Sequence, residues 1–213
     1  MPLTSTPRTP LTGAVRNLGA DVRTAVALSR QPWWLGCAGV PLRVRGAVPA
    51  DLARVAVFHG RCSGDTLLQR YLMGGRPPSL ATVTAMLAEP LVLVAQAPSG
   101  DVVAMASALP STMRAGSAPL ATRALAFGLV VEDAWQRRGL GRALAAHVAA
   151  AAHLSGAREL VADVAATALP LRQVMDSVGP THSSRTDLGQ RLHTRLDVGS
   201  LAGLGSLREV LAS

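Results

Sequence analysis

Residues 130–144 read VVEDAWQRRGLGRAL, and this stretch decides how the rest of the sequence is interpreted. An apolar run ending at Val131 is followed by a loop with two glycines, Gly139 and Gly141, and then by a long segment rich in alanine and leucine. The pattern predicts a buried strand, a tight loop and a helix. Because the first amides of a helix lack internal acceptors and its dipole favours negative charge there, the loop is a predicted phosphate site.

Three arginines in this loop strengthen the prediction of an anionic ligand. Arg137, Arg138 and Arg142 flank the glycines and can donate charge-assisted hydrogen bonds. The formal net charge is +8, but the other arginines are dispersed along the chain and aromatic residues make up only 3%. A base-stacking surface is therefore disfavoured. One short loop with concentrated charge suits a phosphate group better than a nucleic-acid duplex.

Patterning outside the loop predicts a mixed α/β fold. Strands are expected at 41–46, 91–95, 102–109, 124–131, 159–164 and 191–198, the last antiparallel to a segment near 181–187. Helices are expected from residue 49 and at 65–73, 79–87, 139–155 and 169–177. Hairpin-linked strands come first and a β–α–β–α passage follows, so we expect an α+β mixed sheet with helices on both faces.

Composition also suggests how the chain is divided. Residues 1–40 are expected to form a partly disordered extension, 41–198 the folded domain and 199–213 a tail. Within the extension, Trp33 and Trp34 either dock it onto the domain or anchor a partner. Neither Cys37 nor Cys62 has metal-site spacing, so we expect no metal and a reduced, cytoplasmic protein. No apolar run reaches the roughly 18 residues of a membrane span, so no membrane association is expected.

A dinucleotide-binding turn relies on the same physics as the predicted phosphate loop. Gly139 and Gly141 match the first two glycines of GxGxxG, but Leu144 replaces the third. Glu159 lies 20 residues after Gly139, yet it falls at the start of a predicted strand. Both departures count against a dinucleotide site.

Residues 136–144, QRRGLGRAL, resemble the acetyl-CoA motif Q/R-x-x-G-x-G/A of the GNAT N-acetyltransferase superfamily. The resemblance covers the predicted strand before the motif and the helix after it, and extends over residues 42–198. Upstream, residues 45–51 and 63–71 are similar to bacterial GNAT domains related to protein-lysine acetyltransferases. The resemblance implies a GNAT-type fold with a mostly antiparallel central sheet.

The resemblance further implies that acetyl-CoA is the co-substrate and a primary amine, in a protein lysine or a small molecule, the acceptor. Main-chain groups of a strand would pair with the pantetheine arm, and amides of the loop would bind the pyrophosphate. The acetyl carbonyl would lie at the splayed end of strand 124–131, where a backbone N–H polarises it. The cofactor residues so implied are Leu129, Val130, Val131, Gln136, Arg137, Arg138, Gly139, Leu140, Gly141, Arg142 and Ala143.

This chain departs from the family at positions associated with the acid and base of such a reaction. Related enzymes carry a glutamate where this chain has Ala126, an asparagine where it has Ala168, and often a tyrosine that has no counterpart in 170–178. His59 and Asp163 are the candidates for taking the amine's proton. Two alternatives stay open: a non-catalytic acetyl-CoA-binding regulatory module, and a homodimer.

Overall fold

An eight-stranded mixed sheet forms the centre of the fold. The computed structural model describes residues 30–72, 75–110, 123–165, 169–187 and 189–197. Its strands are β1 (Trp33–Cys37), β2 (Val40–Gly46), β3 (Val92–Gln96), β4 (Val102–Pro110), β5 (Ala124–Val131), β6 (Glu159–Val164), β7 (Thr181–Thr186) and β8 (Gly189–Arg195). The strand order is β1-β2-β3-β4-β5-β6-β8-β7, and only β5 and β6 run parallel. The expected mostly antiparallel sheet is confirmed.

The described residues form five α-helices, which cover both faces of this sheet. They are α1 (Leu52–Arg61), α2 (Gly64–Tyr71), α3 (Leu80–Leu87), α4 (Leu140–Leu154) and α5 (Leu169–Asp176). Ser63 and Ser79 start α2 and α3, because each side chain accepts a hydrogen bond from a first-turn amide. Within the described part of the chain, every helix is too short or too polar to cross a membrane.

Two hydrophobic clusters hold the helices on the sheet. Helices α1, α2 and α3 pack on one face through residues such as Phe58 and Leu67, which meet Val130 of β5. Helix α4 packs on the other face, where its buried alanines allow the helix and the sheet to approach closely. Met175 of α5 belongs to the same cluster. Alternate residues of β5 therefore face opposite helix layers.

The sheet begins upstream of residue 41, where the sequence predicts the domain to start. Strand β1 lies within the predicted extension and pairs antiparallel with β2. Its side chains point alternately to opposite faces of the sheet. The Trp33 ring stacks on the His147 ring, with 5.2 Å between the ring centroids, whereas Trp34 is 68% exposed. Trp33 thus docks onto the domain. Residues 1–29 and 198–213, which include the predicted tail, lie outside the described residues.

Candidate functional site

A gap in the sheet opens where strand β5 loses one of its two neighbours. On one side, β5 pairs with β4 from Leu125 to Val131. On the other side, it pairs with β6 only from Ala124 to Ala126. Beyond Ala126, no strand of the described part of the chain pairs with the edge of β5 that faces β6. Its backbone groups are available to a ligand that adds on like a strand.

The hydrogen-bond pattern identifies which backbone groups face this gap. The amide of Glu132 donates to the Val103 carbonyl on the β4 side at 2.9 Å. Because antiparallel bonds alternate, the groups of Leu129 and Val131 point to the opposite side. The Val131 carbonyl accordingly accepts a hydrogen bond from the Gln136 side chain at 3.0 Å. The alternation directs Val130 to β4, so only Leu129 and Val131 of the three expected strand residues offer main-chain groups to the gap.

The loop after β5 turns sharply to start helix α4. Arg137 and Gly139 have φ angles of +57° and +84°, in the left-handed region. The first backbone bond of α4 runs from the Ala143 amide to the Gly139 carbonyl at 3.1 Å. The amides of residues 140–142 thus have no acceptor within the helix and form a start that can bind an anion. The Ala143 amide, expected to bind the pyrophosphate, is used inside the helix instead.

Side chains tie this loop to α2. The Asp133 carboxylate accepts hydrogen bonds from the Ser63 amide at 2.8 Å, the Ser63 hydroxyl at 2.7 Å and the Thr66 hydroxyl at 2.9 Å. Burial raises the pKa of Asp133, but these hydrogen bonds outweigh it and hold that pKa below its ordinary value. Gln136 donates to Thr66 Oγ1 at 2.9 Å as well as to the Val131 carbonyl. Gln136 therefore positions the loop.

A cavity of about 590 Å³ connects the gap, the loop, α2 and α5. The residues expected to hold the cofactor all line it except Arg138, Leu140 and Ala143. Leu140 is buried in the core. The Arg138 guanidinium lies over the Trp135 ring at 5.7 Å instead. Arg70 of α2 also lines the cavity, although no sequence pattern marked it as a site residue.

His59, a predicted proton acceptor, lies in the interior. Its side chain is fully buried, with Nδ1 2.8 Å from the Val55 carbonyl and Nε2 2.6 Å from the Tyr71 hydroxyl. Burial lowers the pKa of His59, which favours the neutral ring. A neutral ring with this geometry donates from Nδ1 and accepts at Nε2. Both nitrogens are thereby engaged within the fold.

Asp163, the other predicted proton acceptor, lies on the sheet face that also carries α1–α3. Its carboxylate oxygens accept hydrogen bonds from the Arg191 guanidinium at 2.7 and 3.0 Å. Alternation along β6 turns this side chain away from the core cluster on the α4 face. The Asp163 side chain is 48% exposed. To bind a proton, the Asp163 carboxylate must give up part of its bidentate ion pair with Arg191.

A histidine that sequence reasoning missed lies on the same face. His193 Nδ1 is 2.8 Å from Glu159 Oε1, and its Nε2 is 3.1 Å from the Ser184 hydroxyl. His193 stands beside Val161, the last residue of β6 that pairs with β5. Alternation along β8 could have shown that His193 and Arg191 share a face. The register that brings His193 to Glu159, however, comes from the pairing of β6 and β8.

Together with His182, the residues Glu159 and His193 form a group whose composition resembles a metal site. Ligand atoms of Glu159, His182 and His193 lie within 4.8 Å of one another. However, the His193–Glu159 separation of 2.8 Å is that of a direct hydrogen bond, whereas ligands of one tetrahedral zinc ion lie about 3.3 Å apart. The rings of His182 and His193 are also stacked, 4.8 Å between centroids. The geometry therefore indicates that a hydrogen bond to Glu159 orients the His193 ring.

Comparisons with known proteins agree with this geometry. The model of the "Acetyltransferase (GNAT) family" matches residues 66–179, more than half of the chain. The GNAT domain of S. lividans PAT is 24% identical with a TM-score of 0.67, over 78% of this chain and 97% of that one.

Two further solved structures share the fold at lower identity. The Salmonella typhimurium protein yncA, solved with its cofactor acetyl-CoA, is 20% identical with a TM-score of 0.54, over 74% of this chain and 94% of that one. A cAMP-binding acyltransferase from Mycobacterium smegmatis is 18% identical with a TM-score of 0.55, over 94% of this chain and 58% of that one. These structures support the fold. Since the family match spans β5, the arginine-rich loop and α4, this chain belongs to the GNAT acetyltransferase family.

Proposed function

We propose that this protein transfers the acetyl group of acetyl-CoA to a primary amine by direct attack of the amine. The observation that carries the proposal is the gap between β5 and β6, which opens directly beside the helix start at residues 140–142. An acyl-CoA has an anionic nucleotide end and an extended amide-bearing arm. The site offers complementary groups to both in one cavity.

The residues present fit such a cofactor. The unsatisfied amides of residues 140–142 and the cations Arg137 and Arg142 suit the pyrophosphate. The backbone groups of Leu129 and Val131 suit the amide groups of the pantetheine arm. When bound, acetyl-CoA supplies an activated thioester carbonyl at the divergence of β5 and β6. Gln136 contributes by holding the loop against α2.

The amine must lose a proton during attack. We assign the role of proton acceptor to His193 in preference to Asp163 or His59. Glu159 orients the imidazole and leaves Nε2 as the acceptor, which the Ser184 hydroxyl releases by rotating. His193 is two strands from Ala126 of β5, about 10 Å at a strand spacing of about 4.8 Å. The proton therefore travels through water.

A non-catalytic acetyl-CoA-binding module is the second candidate. It is favoured by Ala126, which offers no acid or base beside the gap. Ala168, the other position where the sequence departs from the family, lies outside the described residues. The two candidates differ in turnover and share the cofactor site.

The test measures binding and turnover separately. Acetyl-CoA binding is measured by calorimetry, and release of the CoA thiol is measured against a panel of small amines and lysine peptides. Mass spectrometry of the acceptor identifies an acetylated product. Binding with turnover supports the acetyltransferase, binding without turnover across the panel supports the regulatory module, and absence of binding contradicts both.

A further inference from the structure

No acidic side chain among the described residues pairs with the cation of Arg70. Its guanidinium makes no hydrogen bond to a described residue and lies over the Tyr71 ring, 5.0 Å from the ring centroid. The undescribed internal segments 73–74, 111–122, 166–168 and 188 contain no Asp or Glu. By contrast, the half-buried Arg45 pairs with Asp51 and Arg191 pairs with Asp163. Arg30, also half-buried, donates hydrogen bonds to the Pro90 and Ala47 carbonyls.

Strand β5 leaves room for this guanidinium. Arg70 lies against Gly128, and a Cβ at that position would overlap the arginine side chain. Ala126, two residues earlier on the same sheet face, is also small. We call Ala126 and Gly128 the shelf: the guanidinium lies against Gly128, at the wall of the cavity and near Leu129, whose backbone faces the gap.

An unpaired cation in such a place is costly unless a ligand neutralises it. Burial lowers the pKa of Arg70, although a guanidinium remains protonated at neutral pH. Sheltering a charge from water without a counter-ion disfavours the folded state. Binding sites use such a charge because an arriving anion regains the lost interaction.

The position of Arg70 indicates which anion it meets. In the proposed site, Arg137, Arg142 and the start of α4 bind the pyrophosphate of an acyl-CoA, and the pantetheine arm that follows carries no charge. Arg70 instead lies beside Gly128, toward the end of the gap where the acceptor amine must arrive. One guanidinium matches one monovalent, planar anion, which it can bind through two parallel hydrogen bonds.

We propose that Arg70 binds a carboxylate of the acceptor, so that the substrate class is an amine that also bears a carboxylate, such as a free amino acid. The inference rests on the proposed acetyltransferase function. It narrows the acceptor from amines in general to those whose carboxylate can reach the shelf of Ala126 and Gly128.

The experiment compares amines in pairs. Free L-amino acids, β-alanine and γ-aminobutyrate are each assayed beside the matching carboxamide, in the native protein and in Arg70→Gln. We expect the best carboxylate to exceed its amide by about 100-fold in kcat/KM, and the ratio to fall by about that factor in Arg70→Gln. Gly128→Ala, which displaces the guanidinium, should also reduce the ratio. Arg43→Gln, an exposed position on β2, and Gly36→Ala, where a Cβ meets no atom within 4 Å, should preserve it.

Several results would overturn the proposal. One is a carboxylate preference that survives in Arg70→Gln; another is equal use of amides, or of lysine inside a blocked peptide. Weaker acetyl-CoA binding in Arg70→Gln would assign the cation to the cofactor instead. If no panel member is acetylated, calorimetry on the CoA-loaded protein decides, and equal affinity for carboxylates and amides rejects the site. Failure of the proposed function itself is separate, since it appears as loss of acetyl-CoA binding or turnover in the native protein.

Discussion

The side chain of Gln136 donates a hydrogen bond to Thr66 Oγ1 at 2.9 Å, which joins the loop before α4 to the first turn of α2. The same Thr66 hydroxyl donates to Asp133 at 2.9 Å. One hydroxyl therefore holds two residues of the loop, Asp133 and Gln136, against α2.

Replacing this hydroxyl tests whether the loop must be held in place. Thr66→Val keeps the shape of the side chain but breaks both hydrogen bonds, so we expect the free energy of unfolding to fall by about 1–2 kcal/mol. Acetyl-CoA should bind several-fold more weakly, because the loop amides are less well positioned. Thermal unfolding and calorimetry measure the two effects. Thr66→Ser retains the hydroxyl and is the matched control; an equal loss there would contradict the role of the hydrogen bonds.

Removing cations from the loop tests the assignment of the phosphate site. Arg137 and Arg142 line the cavity, whereas Arg138 lies over Trp135. Arg137→Ala combined with Arg142→Ala should weaken acetyl-CoA binding by about 100-fold, since two charge-assisted hydrogen bonds are lost. Arg138→Ala should change the dissociation constant by less than about threefold. The two variants and the native protein are compared by calorimetry at two salt concentrations, and the reverse ranking would refute the site.

The backbone of the loop can be tested without changing its charge. Gly139 has a φ angle of +84°, and a Cβ there would meet no atom within 4 Å. Gly139→Ala should therefore destabilise the fold through backbone strain alone, by about 1–2 kcal/mol. Gly36→Ala, equally open but without a positive φ, should change stability by less than about 0.5 kcal/mol. Chemical denaturation measures both, and equal effects would contradict the strain argument.

The proposed proton acceptor predicts a specific kinetic change. His193→Gln should lower kcat by about 100-fold or more and leave the dissociation constant of acetyl-CoA unchanged, because only proton transfer is affected. Glu159→Gln should lower kcat less, since it removes only the group that orients the ring. Asp163→Asn is the comparison: a larger loss of kcat there than in His193→Gln would move the role to Asp163.

Acid should destabilise the domain through a buried ion pair. Asp51 is buried, accepts two hydrogen bonds of 2.7 Å from Arg45, and accepts another from the Val48 amide. Burial raises the pKa of Asp51, but its partners outweigh this and hold the pKa below the ordinary value of 3.8. Its stabilising effect is thus complete above the unfolded pKa and lost as pH falls through the lower folded pKa.

The variant Asp51→Asn isolates this contribution. Its free energy of unfolding should be lower than that of the native protein at pH 7, because Arg45 loses its partner. Below about pH 4, the difference between the two proteins should shrink, since the native carboxylate also becomes neutral. Denaturation curves at a series of pH values measure the difference. A difference in the free energy of unfolding that stays constant or increases toward low pH would contradict the assignment.

Local patterns in the sequence were sufficient for most of the elements and for the loop with two glycines between β5 and α4. The run of apolar residues, the two glycines and the following alanine-rich segment predict a strand, loop and helix that the structure contains at β5 and α4. Such features depend on neighbours in the chain, so periodicity and the conformational freedom of glycine reveal them. Strand β1 escaped prediction because its five residues carry little periodicity and two adjacent tryptophans face opposite sides.

The amino-acid sequence by itself determined the kind of loop, its concentration of positive charge and the mixed sheet that carries it. Only the tertiary structure decided that β5 and β6 diverge after Ala126, that Glu159 meets His193, and that Arg70 lies against Gly128 with no counter-ion among the described residues. The contacts of Glu159 with His193 and of Arg70 with Gly128 join residues that are 34 and 58 positions apart. The divergence depends on where the pairing of β5 with β6 stops. Strand register and helix packing bring such residues together, and neither is encoded in the spacing of nearby residues.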